Sequence, residues 1–275
     1  MDKRYVLITG CSSGIGYHCA KRLKEEGEYE PLLTARKEND IKRLTDEGFT
    51  VFKMDMSDSD SIQDGFKEVL SFTKGQLYAL FNNAGFGQPG AVEDLSIEAI
   101  KNQFETNVFG VIELGNLALK IFREQGYGKI IQNSSILGFV AFKQRGAYNA
   151  SKFALEGFSD TLRVELKGSG IFVSLIEPGP IKSDFRKNAY RQFLKYVKIE
   201  KSPHYKEYQK AIQRFQSDEN DPFTLDSEAV YKVFKDILRS KKPKDRYRVT
   251  FPTKLFWYLK RFLPVKAMDF IISRI

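Results

Sequence analysis

The stretch Tyr5-Val6-Leu7-Ile8-Thr9-Gly10-Cys11-Ser12-Ser13-Gly14-Ile15-Gly16 decides how the rest of the chain is read. Tyr5 to Ile8 has the pattern of a buried strand, and Ile15 to Lys24 has helical periodicity. Between them lies a turn rich in glycine, which lets the chain bend tightly and lets backbone approach a pyrophosphate. The helix that follows offers free N–H groups and a partial positive charge at its N-terminus. Gly10, Ser12, Ser13, Gly14, Ile15 and Gly16 are therefore the candidate phosphate cradle.

Working outward, the same alternation repeats. Strands are expected at Pro31–Ala35, Thr50–Met54, Leu77–Phe81, Lys129–Gln132 and Ile171–Ile176. Helices are expected at Ile41–Asp46, from Asp58 to about Phe72, along one long run from Ser96 to Glu124, and at Ala147–Leu166. Strands alternating with helices imply a parallel sheet covered on both faces. The fold class is α/β, a Rossmann-like doubly wound sheet of about seven strands in one domain. Ligands of such sheets bind at the carboxyl ends of the strands. After Pro178 the pattern weakens, and residues 181–225 are expected to form an irregular substrate loop or lid. A helix at Ser227–Leu238 and a short strand at Tyr247–Phe251 follow. Residues 252–275 form an amphipathic, helix-like segment broken at Pro264.

The 275 residues are enough to bury a sizeable core. Neither cysteine, Cys11 or Cys19, has metal-ligand or redox spacing, so a reducing, cytoplasmic setting is expected. Neither His18 nor His204 has a metal-ligand neighbourhood, and no metal is expected. No secretory signal or transmembrane run is evident. The net charge is +9 and sits mostly at one end: ten Lys/Arg and two Asp after residue 240 give that tail +8. Beside its charges runs an apolar stripe of Leu255, Phe256, Leu259, Phe262 and Leu263. Such a segment suits a peripheral membrane contact, a cover over the substrate cleft, a subunit contact or ordinary packing.

Four ordered motifs resemble those of the short-chain dehydrogenase/reductase family. Thr9 to Gly16 fits its TGxxxGxG loop, Asn82-Asn83-Ala84-Gly85 its NNAG segment, and Tyr148-Asn149-Ala150-Ser151-Lys152 its YxxxK. Pro178-Gly179-Pro180-Ile181-Lys182-Ser183 is similar to its PG segment, with Ser183 where a threonine is usual. The resemblance runs from about Arg4 to Pro180. It implies a nicotinamide cofactor held by the glycine loop, Asp55 on adenine, Asn83, Ala84 and Gly85, Tyr148, Lys152, and Pro178, Gly179, Ile181 and Ser183. The glycine loop and the C-terminal segment resemble those of hydroxysteroid and retinol dehydrogenases, which implies a lipophilic carbonyl or alcohol substrate. The long helices after the fourth and fifth strands resemble the family's subunit faces and imply a homodimer or homotetramer. No nucleic-acid partner is expected.

The end of the second strand bears on cofactor choice. An acidic residue there would bond the ribose 2′-hydroxyl and repel a 2′-phosphate. The family's acidic position corresponds to Ala35, and Arg36 follows. A guanidinium can hold a phosphate through paired hydrogen bonds, so NADP(H) is expected.

Reducing a carbonyl needs a hydride on carbon and a proton on oxygen. A free phenol holds its proton too tightly to act well as a base, and a nearby ammonium stabilises the phenolate. Tyr148 and Lys152, four apart, share a helix face. The resemblance assigns the substrate-oxygen donor to Ser135, thirteen residues before the tyrosine, with Ser134 adjacent. It assigns Asn107 to anchoring a proton-relay water near the lysine. Asparagine is disfavoured inside helices, which fits a distorted turn at that point. Glu177 is expected to be a cap or loop residue. The other readings are a catalytically silent NADP-sensing protein and a membrane-surface binding protein on the same fold. Retention of both Tyr148 and Lys152 weighs against the first.

Overall fold

The computed structural model describes residues 3–217 and 221–274. Met1, Asp2, residues 218–220 of the expected lid and Ile275 of the expected tail lie outside the described residues.

Seven parallel strands pair in the order β3-β2-β1-β4-β5-β6-β7. They are β1 (Tyr5–Ile8), β2 (Glu30–Ala35), β3 (Thr50–Lys53), β4 (Ala79–Asn82), β5 (Gly128–Asn133), β6 (Ile171–Glu177) and β7 (Arg246–Arg248). Successive strand residues point to opposite faces, and the two cores show it. Val6 and Ile8 join a core roofed by α1 (Gly14–Glu26) and α9 (Glu228–Arg239), where Phe81 stacks on Phe234 at 4.6 Å. Leu7, between them in sequence, joins the opposite core with α3 (Ser59–Thr73) and α5 (Gly110–Gln125). Both faces are thus covered, as a strand with no polar alternation requires. The chain moves outward from β1 through β2 to β3, then returns to place β4 on the other side of β1. That reversal opens the crevice in which the glycine loop lies.

The helix ends follow local chemistry. Asp58 caps α3 by accepting from the N–H groups of Asp60 and Ser61, and Ser96 caps α4 (Ile97–Phe104) by accepting from Ala99. Gly27 ends α1 in the left-handed conformation.

Three expectations change. The run from Ser96 to Glu124 is not one α-helix: a π turn at Glu105–Phe109 separates α4 from α5. The Asn107 side chain is drawn there toward the backbone of Phe86, donating to its carbonyl at 2.9 Å and accepting its N–H at 3.1 Å. The described part of residues 181–225 is largely helical rather than irregular. It contains α7 (Phe185–Tyr196) and α8 (Tyr205–Gln216). Phe193 and Tyr208 of these helices meet edge to face and form a small core with Leu95 and Ala99. The last strand ends at Arg248, and Phe251 begins α10 (Phe251–Phe262), because Thr250 caps this helix and Pro252 suits its first turn. The chain continues through α11 (Val265–Ile272). In the apolar tail stripe, Phe256, Leu259 and Leu263 pack against Ile136, Leu137 and Val140, while Leu255 and Phe262 are exposed. Among the described residues, no helix is long and apolar enough to cross a membrane.

Candidate active site

The glycine loop is bound to the end of β4 by side-chain hydrogen bonds. Thr9 Oγ1 accepts from the N–H groups of Asn83 at 3.0 Å and Ala84 at 2.9 Å. Asn83 Nδ2 donates back to the Thr9 carbonyl at 2.9 Å, and Asn133 Nδ2 donates to Asn83 Oδ1 at 2.9 Å. The carboxyl ends of β1, β4 and β5 are thereby joined. Gly10 takes φ +69°, and a Cβ there would lie 2.7 Å from Ala84 Cα. A Cβ on Gly16 would fall 2.4 Å from Asn83 Nδ2 and 2.7 Å from the Gly10 carbonyl oxygen. The loop can sit this close only with hydrogen at those positions.

The loop fits a dinucleotide phosphate. Ser13 stands at the N-cap of α1 without a side-chain cap bond, and the first turn contains no acid. Its uncapped N–H groups and the helix dipole are left to an anion. Across the crevice, Ser183 approaches Gly14, whose Cβ would lie 3.3 Å from the serine Cβ. The Pro178–Ser183 segment is held by its backbone: the Pro178 carbonyl accepts from Ile136 at 2.8 Å, and the Pro180 carbonyl accepts from Leu225 at 3.1 Å. Ile181 bridges Leu225, and Gly179 passes so close to Thr250 that a Cβ would strike its Oγ1 at 2.2 Å.

At the end of β2, the Arg36 guanidinium lies 3.9 Å from the Asp55 carboxylate and is 59% exposed. An exposed pair at this distance holds the side chain weakly. The Asp55 carboxylate is oriented by the Ser57 N–H at 3.0 Å and hydroxyl at 2.8 Å. A second arginine, unmarked by the sequence reading, stands nearby. Arg43 of α2 (Glu38–Asp46) donates to the Ser12 carbonyl at 2.7 Å. Its signal was its place two helical turns beyond Arg36.

Tyr148 and Lys152 are one turn apart on α6 (Gly146–Glu165). The Ser135 hydroxyl lies near enough to the Tyr148 hydroxyl to favour its phenolate. Ser135 also caps the short turn Ile136–Gly138 by accepting from Leu137 at 3.1 Å, which fixes its orientation. Ser134 turns the other way and donates to Glu156. Of the two serines, Ser135 faces the tyrosine. Lys152 Nζ donates to the Asn133 carbonyl at 2.6 Å and lies 5.7 Å from the Tyr148 ring centre. Burial pushes the Tyr148 hydroxyl up to about 12, opposed by the neighbouring Ser135 hydroxyl and the Arg145 guanidinium. In this arrangement burial outweighs the lowering that a neighbouring ammonium was expected to bring. Burial also pulls Lys152 down to about 8, opposed by the Glu156 carboxylate. Asn107 comes to the same region. Its side chain engages Phe86 and approaches Ser151 Oγ at 3.3 Å, and Ser151 donates to the Tyr148 carbonyl at 2.8 Å.

The sequence reading missed the charges beneath this group. Glu177, expected at a cap or loop, is 1% exposed at the end of β6. It pairs with Arg246 Nε at 3.2 Å and Arg248 Nε at 3.1 Å. Glu156 shares Arg246 at 2.9 Å. Burial and the neighbouring Glu156 raise Glu177 to about 7. Glu156 was findable as the next residue on the Tyr148–Lys152 face; nothing local marks Glu177. The Phe185 ring of α7 lies 5.4 Å from the Tyr148 ring, and α10 is tied to the turn after Ser135 by Lys260, which donates to the Phe139 carbonyl. His18 and His204 bond Glu228 and Glu93 respectively. Among the described residues, no group of three His, Cys, Asp or Glu side chains is placed to hold a metal.

Comparison with known proteins agrees with this geometry. The short chain dehydrogenase family model matches residues 4–193. The uncharacterized oxidoreductase YbbO of Escherichia coli (strain K12) is 39% identical over 278 residues, covering 98% of this chain and 94% of that protein. Retinol dehydrogenase 8 of Homo sapiens is 37% identical over 191 residues, covering 66% of this chain and 60% of that protein. The crystal structure of a short-chain dehydrogenase from Streptomyces avermitilis superimposes with a TM-score of 0.80 at 26% identity, covering 100% of this chain and 97% of that one. The chain therefore belongs to the short-chain dehydrogenase/reductase family of NAD(P)-dependent oxidoreductases and resembles its retinol dehydrogenase-like members.

Proposed function

We propose that the protein is an NADP(H)-dependent carbonyl reductase or alcohol dehydrogenase acting on a lipophilic substrate, with Tyr148 as acid/base. The observation that carries this reading is the Ser135–Tyr148 hydroxyl pair, with Lys152 one turn below, beside the glycine loop. When bound, the nicotinamide supplies or accepts the hydride. The protein's own residues handle the oxygen. Ser135 and Tyr148 hold it between their hydroxyls, and Tyr148, whose high pKa keeps it protonated near neutrality, delivers its proton as negative charge develops. Lys152 remains mostly an ammonium near pH 7 and favours the phenolate that proton transfer leaves behind. Asn107 orders the lysine end of the proton path. Gly10, Ser12, Ser13, Gly14, Ile15 and Gly16 hold the pyrophosphate, Asp55 the adenine, and Asn83, Ala84, Gly85, Pro178, Gly179, Ile181 and Ser183 the nicotinamide half.

Arg36 supports NADP(H): Ala35 places no carboxylate at the ribose, and the guanidinium is exposed. Arg43 adds a second positive charge beside the loop. Phe142 and Phe185 supply apolar walls near Tyr148, and α7 and α8 act as the lid. The resemblance to retinol dehydrogenase 8 favours the same class of substrate. The exposed Phe109 and Phe158, on the adjoining π turn and α6, support a homodimer through this face.

The test is NADPH oxidation across a panel of aliphatic ketones and aldehydes. Tyr148→Phe is expected to lower kcat by about 10²–10⁴-fold; equal rates would remove Tyr148 from the reaction. Arg36→Ala is expected to weaken NADPH binding about tenfold and leave NADH binding nearly unchanged. An unmoved NADPH/NADH ratio would place the 2′-phosphate elsewhere.

A further inference from the structure

Helix α10 has two apolar faces, and the protein's core uses one of them. Phe256 and Leu259 join the core of Ile136, Leu137 and Val140, and Lys260 ties the helix to the Phe139 carbonyl. Phe251, Leu255, Tyr258 and Phe262 recur at helical spacing and line a second face. These four are 58%, 40%, 57% and 76% exposed. Their stripe is about 16 Å long. A second segment adds to it: the Phe223 ring lies 5.3 Å from the Phe251 ring and is itself exposed. Phe223 takes φ +63°, a left-handed conformation that bulky residues rarely adopt. Single exposed hydrophobic residues are ordinary, whereas a contiguous row of them marks a contact surface.

The charges beside the stripe identify what it meets. Helix α10 contains no acidic residue. Lys254 and Arg261, four before and three after Tyr258, border the stripe on the flank away from Phe256 and Leu259. Lys254 and Tyr258 also line a groove of about 300 Å³ with Lys244, Arg248 and Trp257. The Arg248 guanidinium lies over the Trp257 ring at 4.2 Å, and Arg261 lies 5.9 Å from the same ring. Among the described residues, Lys244, Lys254 and Arg261 form no ion pair. A second copy of the chain docked on this face would bring like charges together, because a two-fold contact apposes the same surface on both subunits. An anionic bilayer suits both parts: its acyl boundary accepts the aromatic stripe, and its headgroups meet the cations.

We propose that the exposed face of α10, together with Phe223, docks on the surface of an anionic phospholipid bilayer. Phe251, Leu255, Tyr258 and Phe262 enter the headgroup–acyl boundary, while Lys244, Lys254 and Arg261 meet headgroup phosphates. The contact lies on the bilayer and involves no crossing of it. It is independent of the reaction proposed above, since it uses none of the residues assigned to cofactor or substrate.

The test is co-sedimentation of the full chain with vesicles of phosphatidylcholine alone and of phosphatidylcholine mixed with phosphatidylglycerol. Binding to the mixed vesicles is expected to be at least about tenfold tighter. Tyr258→Ser with Phe262→Ser should weaken it at least about tenfold, and so should Lys254→Glu with Arg261→Glu. Val164→Ser, at an exposed apolar position on α6, should leave it unchanged. Thermal unfolding verifies that each variant is folded, and the two pairs test the face separately. Absence of binding to the mixed vesicles would overturn the proposal. Binding that survives loss of both aromatic residues would also overturn it, assigning the attraction to the general positive charge of the chain. An oligomer that Tyr258→Ser with Phe262→Ser dissociates, in a protein that ignores vesicles, would assign the face to a second copy instead.

Discussion

Arg36, exposed at one side of the site, and Glu177, buried at another, show how differently single residues disclose themselves. Arg36 is readable because it replaces the expected acid with a base directly after an apolar strand. Glu177 precedes Pro178 and looks like a loop residue until β7 brings Arg246 and Arg248 to it. Its raised pKa has a consequence for stability. The folded state binds this proton more tightly than the unfolded chain does. The associated stability is fully present below about pH 4.5 and is lost as pH rises to about 7. The loss is about 3 kcal/mol at most, from about 1.4 kcal/mol per pKa unit. Thermal unfolding followed from pH 4.5 to 7.5 should therefore be less pH-dependent in Glu177→Gln. Parallel curves for the two proteins would show that another group takes up the proton.

At the scale of elements, the strand–turn–helix unit at β1 and α1 was legible because its demands are local. A buried strand needs apolar residues, the turn needs glycine, and the helix needs an open N-terminus. Gly16→Ala tests this unit. The new methyl group would meet Asn83 Nδ2 and the Gly10 carbonyl. Destabilisation of about 1–3 kcal/mol is expected in urea unfolding, together with loss of NADPH affinity; wild-type values for both would mean that the loop yields freely. The π turn was only half legible. Asn107 signalled a distortion inside an otherwise helical run, but its form depends on Phe86, distant in sequence. Helices α7 and α8 were missed because their sequence is polar and rich in lysine and arginine, so few apolar residues mark a buried face. Their order comes from the small core around Phe193 and Tyr208.

For the whole molecule, aromatic residues stay exposed on the face formed by the π turn, α5 and α6. Phe158 is 53% exposed and borders a groove lined by Phe109, Ile112 and Leu117. A contiguous apolar surface of this kind marks an interaction face. Sedimentation should show a dimer that Phe158→Asp converts to monomer, since the substitution would bury a charge. A monomer before substitution, or a dimer unaffected by it, would move the contact elsewhere.

By itself, the sequence determined the alternation of strands and helices, the glycine cradle and the Tyr148–Lys152 pair. Each is written in neighbours within a few residues, where periodicity and spacing are set by the backbone. Tertiary structure alone decided what Ser134, Glu156 and Glu177 are paired with, and how α7 and α10 come to lie beside Tyr148 and the turn after Ser135. Those outcomes depend on groups far apart in sequence, brought together only when the sheet is wound. Burial in that sheet also sets the proton affinities of Tyr148 and Lys152, which no local pattern records.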